Sequence, residues 1–170
     1  MTMPAGTTWR ADADVVVVGA GVAGLAAALA VHRRGRKVVV LSKVGATATH
    51  FAQGGIAVVL PDSQDSIEAH VLDTLSAGAG LCDAEAVRSI VSDGYRAVRD
   101  LVADGARFDE SRSGQWALTR EGGHSARRII HAGGDATGAE VQRALDHAAA
   151  MLDVRRSHVV HDILVGPEGV

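Results

Sequence analysis

Two β-branched runs with a small-residue segment between them dominate the hydrophobic pattern of this chain. Val15 to Val18 is an unbroken valine run, Val38 to Leu41 is a second apolar run, and the alanine- and leucine-rich stretch between them opens on glycines. That rhythm predicts a strand, a tight turn, a helix and a parallel strand. Gly35 is placed to end the helix as its C′ residue, after Arg33 and Arg34, whose charges suit a helix C-terminus. Val15 to Val31 carries no charge, which also suits a membrane or export segment. It is slightly short of a span, follows Asp12 and Asp14, and contains three turn-type glycines, so that reading is set aside.

Beyond the second run the pattern changes. Ser42 to Gly55 has no apolar period and reads as a long loop of small, hydroxyl and amide residues. Ile56 to Leu60 predicts a short strand stopped by Pro61. Asp65 with Glu68 fits a capping box, after which Ile67, Val71 and Leu75 share a helical face up to Gly78 or Gly80. A second helix starts near Asp83, carries Val87, Ile90, Val91, Val98 and Leu101 at helical spacing, and stops at Asp104-Gly105. Arg107 to Arg128 is irregular and polar. Thr137 with Glu140 fits another capping box, opening a helix with Val141, Leu145 and Leu152 on its apolar face. Ser157 to Val165 predicts a last strand, and Gly166 to Gly169 a turn after which the chain stops as though in mid-fold.

Composition narrows the function classes. The 170 residues are 47% hydrophobic and 3% aromatic with a net charge of −3, enough for one α/β domain with a sizeable core. Nothing in that balance, and no basic stripe with interleaved aromatics, points to nucleic acid. The single cysteine, Cys82, excludes an internal disulfide framework, reads as a packed residue and fits a cytosolic chain. Met1 to Thr8 lacks a cationic start and an apolar core, so residues 1–12 are expected to be a flexible N-terminus rather than an export signal.

The chemistry concentrates at Gly19, Gly21 and Gly24, a GxGxxG set on the first strand-to-helix turn. Gly19 makes the sharp exit from the strand, Gly21 leaves room for a diphosphate to approach the backbone, and Gly24 lets the helix pack closely on the sheet. The helix start offers amide donors to the phosphates. A nicotinamide-binding unit usually carries an acid at the end of the second strand; here Ser42 and Lys43 stand there, which weakens the NAD reading and leaves FAD open. Gly24 is followed by Leu25, so no Walker A motif is present. The loop from Ser42 to Gly55 lies where open parallel sheets place their ligands. His158 and His161 would fall on opposite faces of the last strand, a poor metal geometry, and no metal is expected. His32, His70 and His147 read as surface or cap residues; His124 and His131, in the motif loops, are assigned no step.

GAGVAGLAAALAV, VVVLSK, AQGGIA, DTLSAGAGLCD, LTREGGHS and HAGGDATG follow one another in this order. With them the chain resembles the N-terminal third of the L-aspartate oxidase family, flavoproteins related to the catalytic subunits of succinate dehydrogenase and fumarate reductase. The resemblance implies an α/β, Rossmann-like FAD/NAD(P)-binding fold with a parallel sheet, incomplete at its C-terminus, with residues 13–170 as the N-terminal part of the FAD-binding domain. It implies non-covalent FAD and oxidation of L-aspartate to iminoaspartate, with oxygen or fumarate as acceptor. This is the first step of de novo NAD biosynthesis, cytoplasmic, with no membrane and with hand-over to quinolinate synthase. The implied cofactor-binding residues are Gly19, Ala20, Gly21, Val22, Ala23, Gly24, Ser42, Lys43, Ala48, Thr49, His50, Phe51, Ala52, Gln53, Gly54 and Gly55, with Val160 touching the adenine through its backbone.

In the succinate relatives a His just before the residue matching Thr49 carries the flavin covalently. Ala48 stands there, and His50 lies two places further on, so no covalent link is expected. Glu121 replaces a typically apolar residue and would orient the substrate ammonium, since a carboxylate in a partly dehydrated site is a natural partner for it. The family's substrate-clamping arginines and histidines come later in the chain, so these residues alone are expected to lack turnover. The alternatives are a succinate dehydrogenase or fumarate reductase flavoprotein and a non-catalytic nucleotide-binding module. All these readings need the first strand to lie against the second with its valines covered.

Overall fold

A computed structural model describes residues 10–43 and 45–167. In chain order the elements are β1 (Val15–Val18), α1 (Val22–His32), β2 (Val38–Ser42), a 3-10 turn (Ala48–Phe51), β3 (Ile56–Ala57), α2 (Ile67–Ala77), α3 (Ala84–Ala103), β4 (Ile129–Ile130), α4 (Thr137–Ala148), a second 3-10 turn (Ala149–Met151) and β5 (Asp153–Arg156). They form two compact units. One takes the described residues up to Gly45 and from Met151 on; the other is Ala46–Ala150.

In the first unit β2 is the middle strand of a parallel sheet ordered β1-β2-β5. Val15 faces Val38 and Val18 faces Leu41 on one side; Val39 faces Asp153 and Ser42 faces Arg156 on the other. Val39 and Val40 have strand partners on both edges and Val38 on one, and all three are buried. The predicted strand–turn–helix–strand unit is therefore present, and α1 ends as expected. Gly35 has φ +72°, its N–H donates to the His32 carbonyl at 2.8 Å, and the Arg36 N–H donates to the Val31 carbonyl at 3.3 Å, the Schellman pair.

Two expectations fail in this unit. Val15, Val16 and Val18 are 36%, 56% and 62% exposed instead of covered, because among the described residues β1 has a strand on one edge only. The last strand lies at Asp153–Arg156, ahead of the predicted Ser157–Val165. Ser157 takes φ +60° and breaks the extended run, so Val160, His158 and His161 belong to no strand. The apolar letters VV and ILV outweighed the polar DVRR in the pattern, but pairing with β2 chose the polar segment. The predicted turn at Gly166 to Gly169 lies partly outside the described residues.

In the second unit the core gathers Val58, Val98, Ala106, Phe108, Ile130, Ala132 and Ala144. The strand expected over Ile56 to Leu60 pairs only at Ile56 and Ala57, antiparallel to β4, which the sequence reading missed. The Val58 N–H continues the ladder to the Arg128 carbonyl at 2.8 Å, and Val58 and Val59 are buried as a non-strand run.

All three long helices of this unit exist, but two of their caps are not those predicted. Ser66, not Asp65, caps α2, its hydroxyl accepting from the Ala69 N–H at 3.1 Å, while Glu68 pairs with Arg88. At α4, Ala136 sits at the cap without a side-chain bond. Thr137 Oγ1 instead accepts from the Ala132 N–H at 3.2 Å, and Glu140 binds Arg143 and the Arg107 N–H. Leu152 lies beyond that helix. At α2 distant partners, Arg128 for Asp65 and Arg88 for Glu68, took the residues the local motif had assigned; at α4 the competitors are the nearby Ala132 N–H and Arg143 together with the distant Arg107 N–H. Asp83 does cap α3, accepting from the Ala86 N–H at 2.8 Å, although Ile90 turns outward, 72% exposed. His70, expected at the surface, is buried.

Candidate functional site

The glycine turn is built as its sequence demands. Gly19 has φ +110°, a conformation that excludes a side chain, and its N–H donates to the Leu41 carbonyl at 2.8 Å, tying the turn to the end of β2. A Cβ on Gly24 would lie 2.0 Å from the Gly19 carbonyl oxygen and 3.3 Å from Val17 Cγ1, so only glycine lets α1 start this close to the strand exit. Gly21 is the extended N-cap and places no side-chain oxygen at the helix start, a position that suits an anion. Ala20 is buried; Val22 and Ala23 are exposed. At the end of β2, Ser42 is buried and Lys43 exposed. The His158 N–H donates to the Ser42 carbonyl at 3.0 Å, bringing the segment that leads to half-buried Val160 alongside.

In the second unit the predicted loop contains the 3-10 turn Ala48–Phe51 and is fixed from behind. Thr47 Oγ1 donates to Gln142 Oε1 at 2.6 Å, and the Gly138 N–H donates to the Ala52 carbonyl at 2.9 Å. A Cβ on Gly138 would meet the Thr49 carbonyl oxygen at 2.0 Å and that of Ala52 at 2.6 Å. Gly55 is equally hemmed, its Cβ position lying 2.3 Å from Ile129 Cγ2 and 2.6 Å from the Ile130 carbonyl oxygen. Pinned at both ends, the segment keeps Ala48, His50, Phe51, Ala52, Gln53 and Gly54 exposed, with Thr49 half-buried. Sequence reasoning missed the supports Thr47, Gln142 and Gly138. The signal available was a glycine in the first turn of a helix, a common mark of close backbone approach.

The third predicted piece is Glu121. Thr119 bonds across to Ile129 (N–H to carbonyl, 2.9 Å) and accepts from the Arg128 N–H at 3.1 Å, closing residues 119–129 into a loop. That closure brings Glu121 Oε1 to 3.1 Å from His131 Nε2, and Thr119 Oγ1 lies 3.0 Å from the same nitrogen. The Glu121 side chain is 47% exposed and that of His131 18%.

Behind the loop lies an ion cluster that the sequence did not reveal. Arg128 is fully buried and forks onto Asp65, Nε to Oδ2 and Nη2 to Oδ1 both at 2.7 Å, with Nη1 on Asp73 at 2.5 Å. Asp73 also accepts from the N–H and hydroxyl of Ser125. The guanidinium bonds hold the Asp65 carboxyl below its ordinary value of 3.8, and the Ser125 donors do the same for Asp73. His70 lies near His124, ring centroids 5.6 Å apart. Its pKa is pushed below 6.5 by burial first and by Arg128 next. Among the described residues, no group of three or more His, Cys, Asp or Glu is placed to hold a metal ion.

The family described as FAD binding domain matches residues 14–170. This chain belongs to that family. It is 72% identical over 163 residues to the L-aspartate oxidase of Mycobacterium tuberculosis, covering 94% of this chain and 31% of the relative. It is 53% identical over 165 residues to that of Streptomyces coelicolor, covering 95% and 28%. The chain thus spans about a third of the length of these curated relatives. Among solved structures, the quinol fumarate reductase FrdA of E. coli superposes with a TM-score of 0.81 at 32% identity, over 91% of this chain and 27% of that one. The fold is the α/β FAD-binding flavoprotein fold, and FAD is the cofactor the chain is built for. The glycine turn fits it on its own evidence, since Gly19 takes a left-handed φ, a Cβ on Gly24 would obstruct the strand-to-helix turn, and no side chain caps the helix.

Proposed function

We propose that this chain is the FAD-holding part of a flavoenzyme that oxidises L-aspartate to iminoaspartate with oxygen or fumarate as acceptor. This is the first step of de novo NAD biosynthesis, cytoplasmic, with product passed to quinolinate synthase. The observation that carries the reading is Glu121, a half-exposed carboxylate on a closed loop with His131 Nε2 at 3.1 Å, in a chain 72% identical to an L-aspartate oxidase over 163 residues. Bound FAD supplies the acceptor for the hydride leaving the substrate Cα. Within this chain the turn Gly19–Gly24 holds the diphosphate, Ser42 and Lys43 face the ribose, the segment Ala48–Gly55 holds the flavin portion, and Val160 meets the adenine. Glu121 orients the substrate ammonium, an ionic contact that succinate cannot make.

In a full-length enzyme that contains this segment, replacing Glu121 by Gln is expected to raise KM for aspartate by about tenfold or more, the loss of one charge-assisted contact, while fumarate reduction stays within about twofold. Equal damage to both reactions would remove the assignment. The resemblance to fumarate reductase supports a succinate-type enzyme as second reading; Ala48 and Glu121 favour the first. Ala48 also predicts that acid-denatured, flavin-loaded protein releases its colour into the supernatant. Colour retained on the polypeptide would show a covalent bond.

A further inference from the structure

We propose that His131 is the positioning residue for Glu121, donating its Nε2–H to the carboxylate and thereby fixing it for the ammonium of an α-amino dicarboxylate. The proposal rests on the reading of Glu121 given above. Glu121 is an exposed side chain with three rotatable bonds, and alone it would lose that freedom on meeting substrate. His131 removes it in advance. Its Nε2 lies 3.1 Å from Glu121 Oε1 and 3.0 Å from Thr119 Oγ1.

The ring has little choice of orientation. Its Nδ1 is buried without a partner among the described residues, so a proton there would be stranded. A proton on Nε2 has the Thr119 hydroxyl oxygen as a hydrogen-bond partner at 3.0 Å and the Glu121 carboxylate oxygen beside it at 3.1 Å. The opposite ring orientation would turn Nε2 toward Gly55, where a Cβ would already stand 2.8 Å from Cε1, and would forfeit both oxygen partners. Gly55 therefore serves two purposes: it lets the cofactor loop pass and it walls in the imidazole. The chain reaches this arrangement because His131 directly follows β4, whose pairing with Ile56 and Ala57 sets where the ring emerges.

Glutamine places an amide nitrogen where histidine has Nε2; asparagine places it where histidine has Nδ1. In a flavin-loaded full-length enzyme that contains this segment, His131→Gln should keep KM for aspartate within about twofold of the parent. His131→Asn and His131→Leu should raise it about tenfold with fumarate reduction little changed, as expected for one lost bond to a charged group. Combined with Glu121→Gln, His131→Leu should add nothing further, because it acts through Glu121. Independently of turnover, a long-range ¹H–¹⁵N spectrum of the ¹⁵N-histidine-labelled chain should show His131 protonated at Nε2, and Glu121→Gln should shift that resonance. Protonation at Nδ1, a His131 signal blind to Glu121→Gln, or harmless His131→Leu beside a harmful Glu121→Gln would overturn the proposal. A harmless Glu121→Gln with the Nε2–H signal intact would instead discard the substrate reading and leave the pairing standing.

Discussion

Arg128 holds a full positive charge in a place with almost no solvent, and its two carboxylates come from far away in the sequence. Asp65 is 63 and Asp73 55 positions distant, so no local pattern could assign the pair, and Asp65 looked like a helix cap. Gly19, Gly24 and Gly35 were legible because each is needed by a turn that the neighbouring letters define. Removing one member of a buried ion cluster costs more than the cluster contributes, since the other charges remain without water. Arg128→Met is therefore expected to destabilise the chain by about 3 to 5 kcal/mol in urea unfolding at neutral pH. Arg128→Lys should recover only part, because an ammonium cannot fork onto Asp65. A loss under about 1 kcal/mol for Arg128→Met would mean the site is wetter than it looks.

Elements were legible where length or an unbroken apolar run marked them, as in the four valines of β1. α1, α3 and α4 announce themselves over several turns. β3, β4 and β5 span two to four residues each, too short for a period to assert itself against neighbouring apolar letters. α2 and its approach carry three groups whose protonation is linked to folding. Asp65 and Asp73 lie below 3.8 in the folded chain, so the unfolded chain takes up their protons first. Their contribution is whole above 3.8 and drains away as pH falls toward the depressed folded values. His70 is depressed too: between its folded value and 6.5 the unfolded chain binds a proton and the folded chain does not, so stability falls with pH from 6.5 downward. Thermal unfolding followed by circular dichroism between pH 8 and 3 should show both losses, and His70→Leu should abolish only the earlier one. A melting temperature unchanged between pH 7 and 5 would contradict the His70 part.

At the scale of the whole molecule, the sequence conveyed the fold class and the cofactor, through six motifs in a fixed order. It did not convey that the chain divides into two units, because the division depends on which strand pairs with β2. The valine run was expected to be covered; it is exposed, with a strand on one edge of β1 among the described residues, so that half of the condition is not met and the reading stands on the parallel β1-β2 pairing and the family match. Hydrogen exchange should rank the strands accordingly: amides of Val39 and Val40, partnered on both edges, are expected to outlast those of Val16 and Val18. Equal protection would mean the free edge of β1 is occupied in solution.

The sheet order has a consequence for synthesis. β2 and β5 are hydrogen-bonded neighbours, yet all of residues 46–150 are made between them. A ribosome delivers β1, α1 and β2 first, and a two-stranded parallel ribbon has little stability of its own. The intervening unit has time to collapse before Asp153 leaves the exit tunnel, so the nucleotide cradle is the last part of this segment to be completed although its signature is the first to be translated.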